Sequence, residues 1–385
     1  MKRQDENRKG RNWIIALLAC LLTLGLLAGC GQKTDGKTAE SQSAEGQGST
    51  QEEQMKSSEE ASGQESTVDE DASVSKEPQI KEPEEPVMLR IGALKGPTTM
   101  GLLFLMEDAK AGNTKNSYEF QMATGADELL PLMVSGKLDI ALVPANVAAI
   151  LYQKTEGGVA VVDVNTLGVL YLVSSDASVQ GLSDLKGRTI YLTGKGTTPD
   201  CVLQFLLRDA GLSEEDVTLE YCSEATEVAA ILAKKPDAIG FLPQPFVTAA
   251  CMQNEALQVV ISANDMWLDA FGKEVSTALV TGVTVVRREI LDKYPQAIAT
   301  FLEEHEASAK AINEDLDTGA KLAVEAGIVG KEPIAKKAIP KCNITCIMGN
   351  SMKRALKAYL EVIYAFDKTM VGGKLPEADF YYQAD

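Results

Sequence analysis

The chain is poor in the residues on which most catalytic and metal-binding sites are built. Its 385 residues include one histidine, His305, which excludes a multi-histidine metal site. Seven cysteines are too sparse for a disulfide scaffold, and aromatic residues make up only 5%. Positive charge is also short: 37 Lys and Arg face 55 Asp and Glu, a net −18, with no basic patch beyond the N-terminus. That balance excludes a nucleic-acid partner, since phosphate neutralisation needs clustered cations. What is present is 45% apolar and 24% charged residues, enough core for more than one domain. The charge is unevenly spread, and it divides the chain into three zones.

Residues 1–29 read as a signal peptide. Lys2, Arg3, Arg8, Lys9 and Arg11 precede sixteen uncharged, mostly apolar residues from Trp13 to Ala28, short for a membrane span and suited to export. The run ends Leu27-Ala28-Gly29-Cys30, which resembles the lipobox of bacterial lipoproteins. That resemblance implies cleavage before Cys30, lipidation of its thiolate, palmitate included, and an extracytoplasmic protein held on the outer face of the cell membrane. The other reading is an uncleaved anchor with an incidental cysteine.

Residues 30–86 form the second zone, a linker with five Lys against fifteen acids from Gly31 onward and no aromatic residue. Such a segment cannot bury enough apolar surface to offset chain entropy, and is expected to be disordered. Its reach is on the order of 40 Å.

Residues 87–385 alternate strand and helix signals. Strands are expected over 89–94, 118–123, 139–143, 159–164 and 168–174, with helices over 98–110, 127–134 and 146–154. Helices between apolar strands make an α/β fold in which mixed sheets are flanked by helices. An internal echo follows. The stretch from Leu94 to Ala109 is matched by that from Leu192 to Ala210, and Lys137–Asn146 by Lys235–Gln244, at offsets of 98 to 101 residues. Two matches in the same order imply two related lobes.

In each lobe the echo is a strand, a Gly/Thr-rich loop and a helix. Ligands of open α/β sheets sit beyond the carboxyl ends of strands, where helix N-termini present free N–H groups and a positive dipole end. Lys95, Gly96, Pro97, Thr98 and Thr99 form one such loop; Lys195, Gly196, Thr197 and Thr198 form the other. Each of these residues has two readings, ligand contact or turn and helix cap. Asn146 and Gln244 follow the next strands, and each amide either bonds a ligand or caps a helix. Asp127 reads as a helix start.

Gly181-Leu-Ser-Asp-Leu-Lys-Gly-Arg-Thr-Ile190 resembles the signature that opens the second lobe of substrate-binding proteins of bacterial ABC importers. The stretch from Thr281 to Phe301 is similar to their return strand and following helix, in the nitrate/sulfonate/taurine and thiamine-precursor branch. The resemblance implies a two-lobed type II periplasmic-binding-protein fold, residues 87–175 plus 278–385 forming lobe 1 and residues 176–277 lobe 2, with two crossovers as hinge. It implies capture of a small polar organic ligand, sulfonate-like, carboxylate or heteroaromatic, and delivery to an importer permease by a monomer. The loops above, Asn146, Gln244 and Thr281 match the family's ligand-contacting positions, and no arginine stands among them. No cofactor, metal or catalytic residue is expected; the alternative is an enzyme or ligand sensor on the same scaffold.

Other single residues take structural readings. His305 lies on the stripe Ile298, Leu302, His305, Ala309, Ile312 and reads as a half-buried packing residue. Cys342 and Cys346 read as free thiols or a disulfide, and Cys201, Cys222 and Cys251 as core. Trp267 and Tyr171 either stack on a planar ligand or plug the seam between lobes.

Overall fold

A computed structural model describes residues 86–272 and 277–383. The signal peptide, Cys30 and all but the last residue of the linker lie outside them. Among the described residues no helix is long and apolar enough to cross a membrane.

The chain opens with β1 (Met88–Leu94), α1 (Pro97–Met100), α2 (Leu103–Ala111), β2 (Ser117–Ala123), α3 (Ala126–Val134), β3 (Ile140–Pro144), α4 (Ala145–Lys154) and β4 (Val159–Leu167). The echo then runs through β5 (Leu170–Ser174), β6 (Thr189–Thr193), α5 (Thr198–Asp209), β7 (Thr218–Cys222), α6 (Ala225–Lys234), β8 (Ile239–Pro243), α7 (Phe246–Gln253), β9 (Gln258–Ser262) and α8 (Ala263–Phe271). It returns through β10 (Val280–Arg287), α9 (Arg288–Lys293), α10 (Pro295–Glu314), α11 (Leu316–Glu325), α12 (Glu332–Ala338), β11 (Ile344–Ile347) and α13 (Gly349–Phe366).

These elements build two mixed sheets, ordered β11-β4-β10-β3-β1-β2 and β7-β6-β8-β5-β9. In the first, β1 runs parallel to β2 and β3 while β10 is antiparallel to β3 and β4. In the second, β6 runs parallel to β7 and β8 while β5 is antiparallel to β8 and β9. Apart from β11 the two orders superpose, and the antiparallel strand of each is the first one laid down after the chain crosses over. The central strands are buried on both faces, which explains their unbroken apolar runs such as Ile140–Val143 and Ile239–Leu242.

One expected boundary moves. β5 was placed in lobe 1 by a division at 175/176, yet it hydrogen-bonds within the second sheet. The crossover falls at Gly168 and Val169, because β4 ends at Leu167 and the chain re-enters as the antiparallel strand. The helix expected over 98–110 is also split, into α1 and α2. At Gly101 between them a Cβ would come within 3.3 Å of both His305 Nε2 and Ile344 Cγ2, so glycine permits the close approach of α10 and β11.

The two sheets share one hydrophobic core, which includes Val143 and Val283 of the first, Leu192 and Phe241 of the second, Trp267 of α8 and Leu356 and Tyr359 of α13. Trp267 packs tilted against the stacked pair Phe205 and Phe271, ring centroids 4.7 and 4.9 Å away, and donates its indole N–H to the Thr277 carbonyl at 3.0 Å. Tyr171 donates to the Lys341 carbonyl at 2.8 Å, tying β5 to the segment before β11. Both aromatics are buried and plug the seam.

Candidate functional site

The carboxyl ends of β1, β3 and β4 and the start of β10 lie at one edge of the first sheet, since Gly282 pairs with Pro144 and Thr166. The corresponding edge of the second sheet carries the ends of β6, β8 and β9. The polar residues expected to contact ligand all lie on these two edges, and they divide into three groups.

Asn146 and Thr198 come together across the sheets. Thr198 is the first residue of α5 and Asn146 the second of α4, so two helices of ten or more residues present their N-termini to each other. The Thr198 hydroxyl lies 3.4 Å from Asn146 Oδ1, and the Tyr359 hydroxyl 3.4 Å from Thr198 Oγ1. Asn146 Nδ2 reaches the Met370 carbonyl at 3.5 Å. All three contacts are long for hydrogen bonds and therefore weak, so these groups re-aim at little cost. Burial pushes the Tyr359 hydroxyl up in pKa, which keeps it a neutral donor.

A second group holds the loops in shape. Thr99 is fully buried and donates its hydroxyl to the Leu94 carbonyl, so its side chain is turned back into the fold. Gly96 accepts from the Thr99 N–H at 3.2 Å and Pro97 occupies the first turn of α1, which is a single turn rather than the opening of a long helix. In the other loop Thr197 stands just before α5 without a side-chain cap bond, its hydroxyl donating instead to the Gly194 carbonyl at 2.5 Å. Gly196 takes φ +70° and gives its N–H to buried Asp200 at 2.8 Å. Asp200 also accepts from Tyr221 and Gln204, each at 2.8 Å, so it pins the loop from below.

The third group borders the edge without a partner in the other sheet. Thr98 packs its methyl against Gly282, and Thr281 sits where the register of β10 against β4 shifts. Gln244 is 1% exposed; its Oε1 accepts from the Thr248 hydroxyl at 2.7 Å, and its Nε2 is buried without a hydrogen-bond partner. Lys95 and Lys195 are exposed, and Lys195 lies 5.4 Å over the Tyr221 ring. Asp127 sits in the first turn of α3, where Glu128 accepts from the Thr124 and Gly125 N–H groups at 2.9 and 3.0 Å.

Tyr359 was missed from the sequence. Its signal was a tyrosine on the apolar stripe Met352, Ala355, Leu356, Tyr359, Leu360, Ile363, where a hydroxyl must find a partner. Three other residues depart from their reading: His305 is fully rather than half-buried, and Cys222 and Cys251 are half-buried rather than core. Cys342 and Cys346 are free thiols.

A protein family described as the phosphonate periplasmic substrate-binding proteins of ABC transporters matches residues 111–337. Among solved structures, an ABC transporter protein of Parabacteroides distasonis superposes with a TM-score of 0.66 at 22% identity, over 78% of this chain and 100% of that one. The periplasmic aliphatic sulphonate binding protein SsuA of Escherichia coli gives 0.62 at 16% identity, over 77% and 96%. The alkanesulfonate-binding protein SsuA of Xanthomonas axonopodis pv. citri, bound to MOPS, gives 0.58 at 17%, over 78% and 100%. These three establish the two-sheet fold. No curated protein matches the chain.

Proposed function

The chain belongs to the phosphonate family of periplasmic substrate-binding proteins of ABC transporters, and from that premise we propose that it grips a small organic oxyanion, a sulfonate or phosphonate, between α4 and α5. The observation that carries this reading is the meeting of Thr198 with Asn146, which sets two helix N-termini from different sheets around one point. Each supplies unpaired N–H groups and a positive dipole end, and Asn146, Thr198 and Tyr359 add neutral donors. A tetrahedral oxyanion offers enough lone pairs to accept from both sides at once. A ligand so held stabilises the closed arrangement over the open one in proportion to its difference in affinity for the two. Recognition of the closed arrangement by the importer permease is the family's means of delivery.

Local donors must do this work against a long-range field. Residues 87–385 carry 27 cations against 38 acids, so the surface repels anions and only focused contacts favour them. No arginine stands in the loops, so their cations are Lys95, which faces the Glu128 carboxylate, and Lys195, which is drawn over Tyr221. Calorimetry against phosphonates, alkanesulfonates, nitrate, carboxylates and heteroaromatic compounds tests the class. An alkyl sulfonate or phosphonate should bind most tightly; preference for an uncharged heteroaromatic compound would overturn the oxyanion reading.

Binding without chemical conversion is part of the proposal. Of the two loop carboxylates an acid–base mechanism would use, Asp200 is committed to Gly196, Gln204 and Tyr221, and Asp127 lies in a helix start. Mass spectrometry of the released ligand should return it unchanged.

The lipid anchor is also proposed, on the strength of Leu27-Ala28-Gly29-Cys30 behind a basic, then apolar, N-terminus. The mature protein would then be a monomer tethered outside the membrane by the linker. Metabolic labelling with palmitate should mark the protein, and Cys30→Ser should abolish the label. A labelled Cys30→Ser protein would refute it.

A further inference from the structure

Where β4, β11 and α10 meet, a second set of polar side chains converges. Asp163 of β4, His305 of α10 and Cys346 of β11 bring Oδ2, Nδ1 and Sγ all within 4.8 Å of one another. His305 Nδ1 is 3.3 Å from Asp163 Oδ2 and 3.9 Å from Cys346 Sγ. Asp163 and His305 are fully buried, and Cys346 is half-buried on β11, the edge strand of the sheet. The second carboxylate oxygen of Asp163 accepts from the Thr284 hydroxyl at 3.0 Å, and Thr284 is held by Asn165 Nδ2 at 3.1 Å. The carboxylate is thus oriented from behind, with Oδ2 turned to the other two donors.

A cysteine, a histidine and an aspartate invite comparison with a nucleophilic triad, but the geometry forbids that role. A relay needs the carboxylate on one ring nitrogen and the thiol on the other. Here the same nitrogen, Nδ1, faces both, and Nε2 is buried without a partner against Gly101. Three donors aimed at a common point instead of along a line form a ligand set.

We propose that Asp163, His305 and Cys346 bind one divalent transition-metal ion, of the Zn²⁺ class. Donors of a tetrahedral zinc site at bond lengths of about 2.0 Å for N and O and 2.3 Å for S stand roughly 3.3 to 3.5 Å apart; the Nδ1–Oδ2 separation of 3.3 Å matches, and Sγ at 3.9 Å from Nδ1 needs to move in by a few tenths of an ångström. Charge points the same way. A carboxylate and a thiolate with a neutral imidazole carry two negative charges, which a divalent ion neutralises, so the buried cluster becomes uncharged. Without the ion, a cysteine thiol keeps its proton near neutral pH. Binding breaks the S–H bond, forms the sulfur–metal bond and releases that proton to solvent. The mixed N, S and O set favours zinc over the hard ions magnesium and calcium. Entry is from the Cys346 side, where the sheet ends. The proposal is independent of what the cleft binds.

The test uses the full chain with Cys20→Ser and Cys30→Ser, freed of metal by a chelator, and Co²⁺ as a spectroscopic probe for Zn²⁺. One equivalent of Co²⁺ should give a thiolate-to-metal absorption band, which Zn²⁺ displaces. Calorimetry with Zn²⁺ in buffers of different ionisation enthalpy should show release of about one proton near neutral pH. Cys346→Ser should remove the band and weaken Zn²⁺ at least tenfold, and His305→Gln should weaken it comparably. Cys222→Ser and Cys251→Ser should leave both unchanged. Absence of the band in the starting protein, or its survival in Cys346→Ser, would overturn the site. If a substitution at 346 unfolds the chain, the proton count and the Co²⁺ band of the starting protein decide alone.

Discussion

The two sheets share one topology and differ in how they treat the same positions. Asp139, at the start of β3, is buried and takes a bidentate Arg90 at 2.8 and 2.6 Å, with Arg287 3.6 Å away. Its echo in the second sheet, Asp237, is exposed. At the cleft edge Gly282 is hemmed in by Asn165, Thr98 and Thr166, whereas the loop glycines Gly96 and Gly196 both meet nothing. The first sheet therefore ties the base of β3 to β1 and β10 through a buried ion pair, and the second leaves the matching aspartate in water. The second instead buries an aspartate under its glycine loop, where Asp200 accepts from the Gly196 N–H.

The sharpest way to break this contrast is to remove the two aspartates. Asp139→Ala should cost about 3 kcal/mol in urea unfolding, at the low end for breaking a buried pair because Arg90 keeps some surface in water. Asp237→Ala should cost less than about 0.5 kcal/mol. Equal losses would erase the distinction.

The glycines come next. Gly282→Ala drives a Cβ into Asn165 and Thr98 and should cost about 1–3 kcal/mol while weakening ligand binding, as overpacking does. Gly196→Ala meets only the strain of its φ of +70° and should cost about 1 kcal/mol.

Across the cleft, Thr198→Val removes a hydroxyl that touches both Asn146 and Tyr359. It should weaken the tightest ligand about tenfold, or about 1.4 kcal/mol, with an unchanged melting temperature. Smaller still, Lys95→Ala should weaken an anionic ligand about threefold, and Lys195→Ala less, because Tyr221 already holds its ammonium group. If neither lysine substitution changes affinity, the anion reading loses its support.

The smallest effects concern pH. The Thr124 hydroxyl, with two backbone N–H groups, holds the Glu128 carboxyl below its usual range, and Lys186 and Ser213 hold Asp216 below its own. Depressed carboxyls contribute stability above their unfolded pKa of about 4, and lose it as pH falls through the folded value. Melting temperature should therefore fall with acidification below about pH 5, less steeply in Asp216→Asn and least changed in Glu128→Gln.

Much of this organisation is legible in the sequence, and the limits have physical causes. Strand and helix periodicity locates the elements, and the echo of Lys137–Asn146 in Lys235–Gln244 gives the duplication, because both are local patterns. Strand content does not say which sheet a strand joins. Leu170–Ser174 looks equally apolar in either, and only the reversal at Gly168 assigns it to the second. Asn146 and Thr198 are each legible as residues at a helix start, but no local pattern pairs them, and Thr99 and Gly96 are absorbed by the turn they make. Tyr359 lies 161 residues from Thr198, and no local pattern joins them. Asp163 had a visible signal, a charge in the buried run Val159–Leu167, but its partner lies 142 residues away on α10.

The central claim is that one ligand engages both helix starts together, and hydrogen exchange of the ligand-saturated protein measures that directly. The amides of residues 145–147 and those of Thr198 and Asp200, which flank Pro199, should gain protection in parallel, at the same ligand concentration. Protection confined to one of the two segments would show a ligand held by a single sheet and would contradict the account.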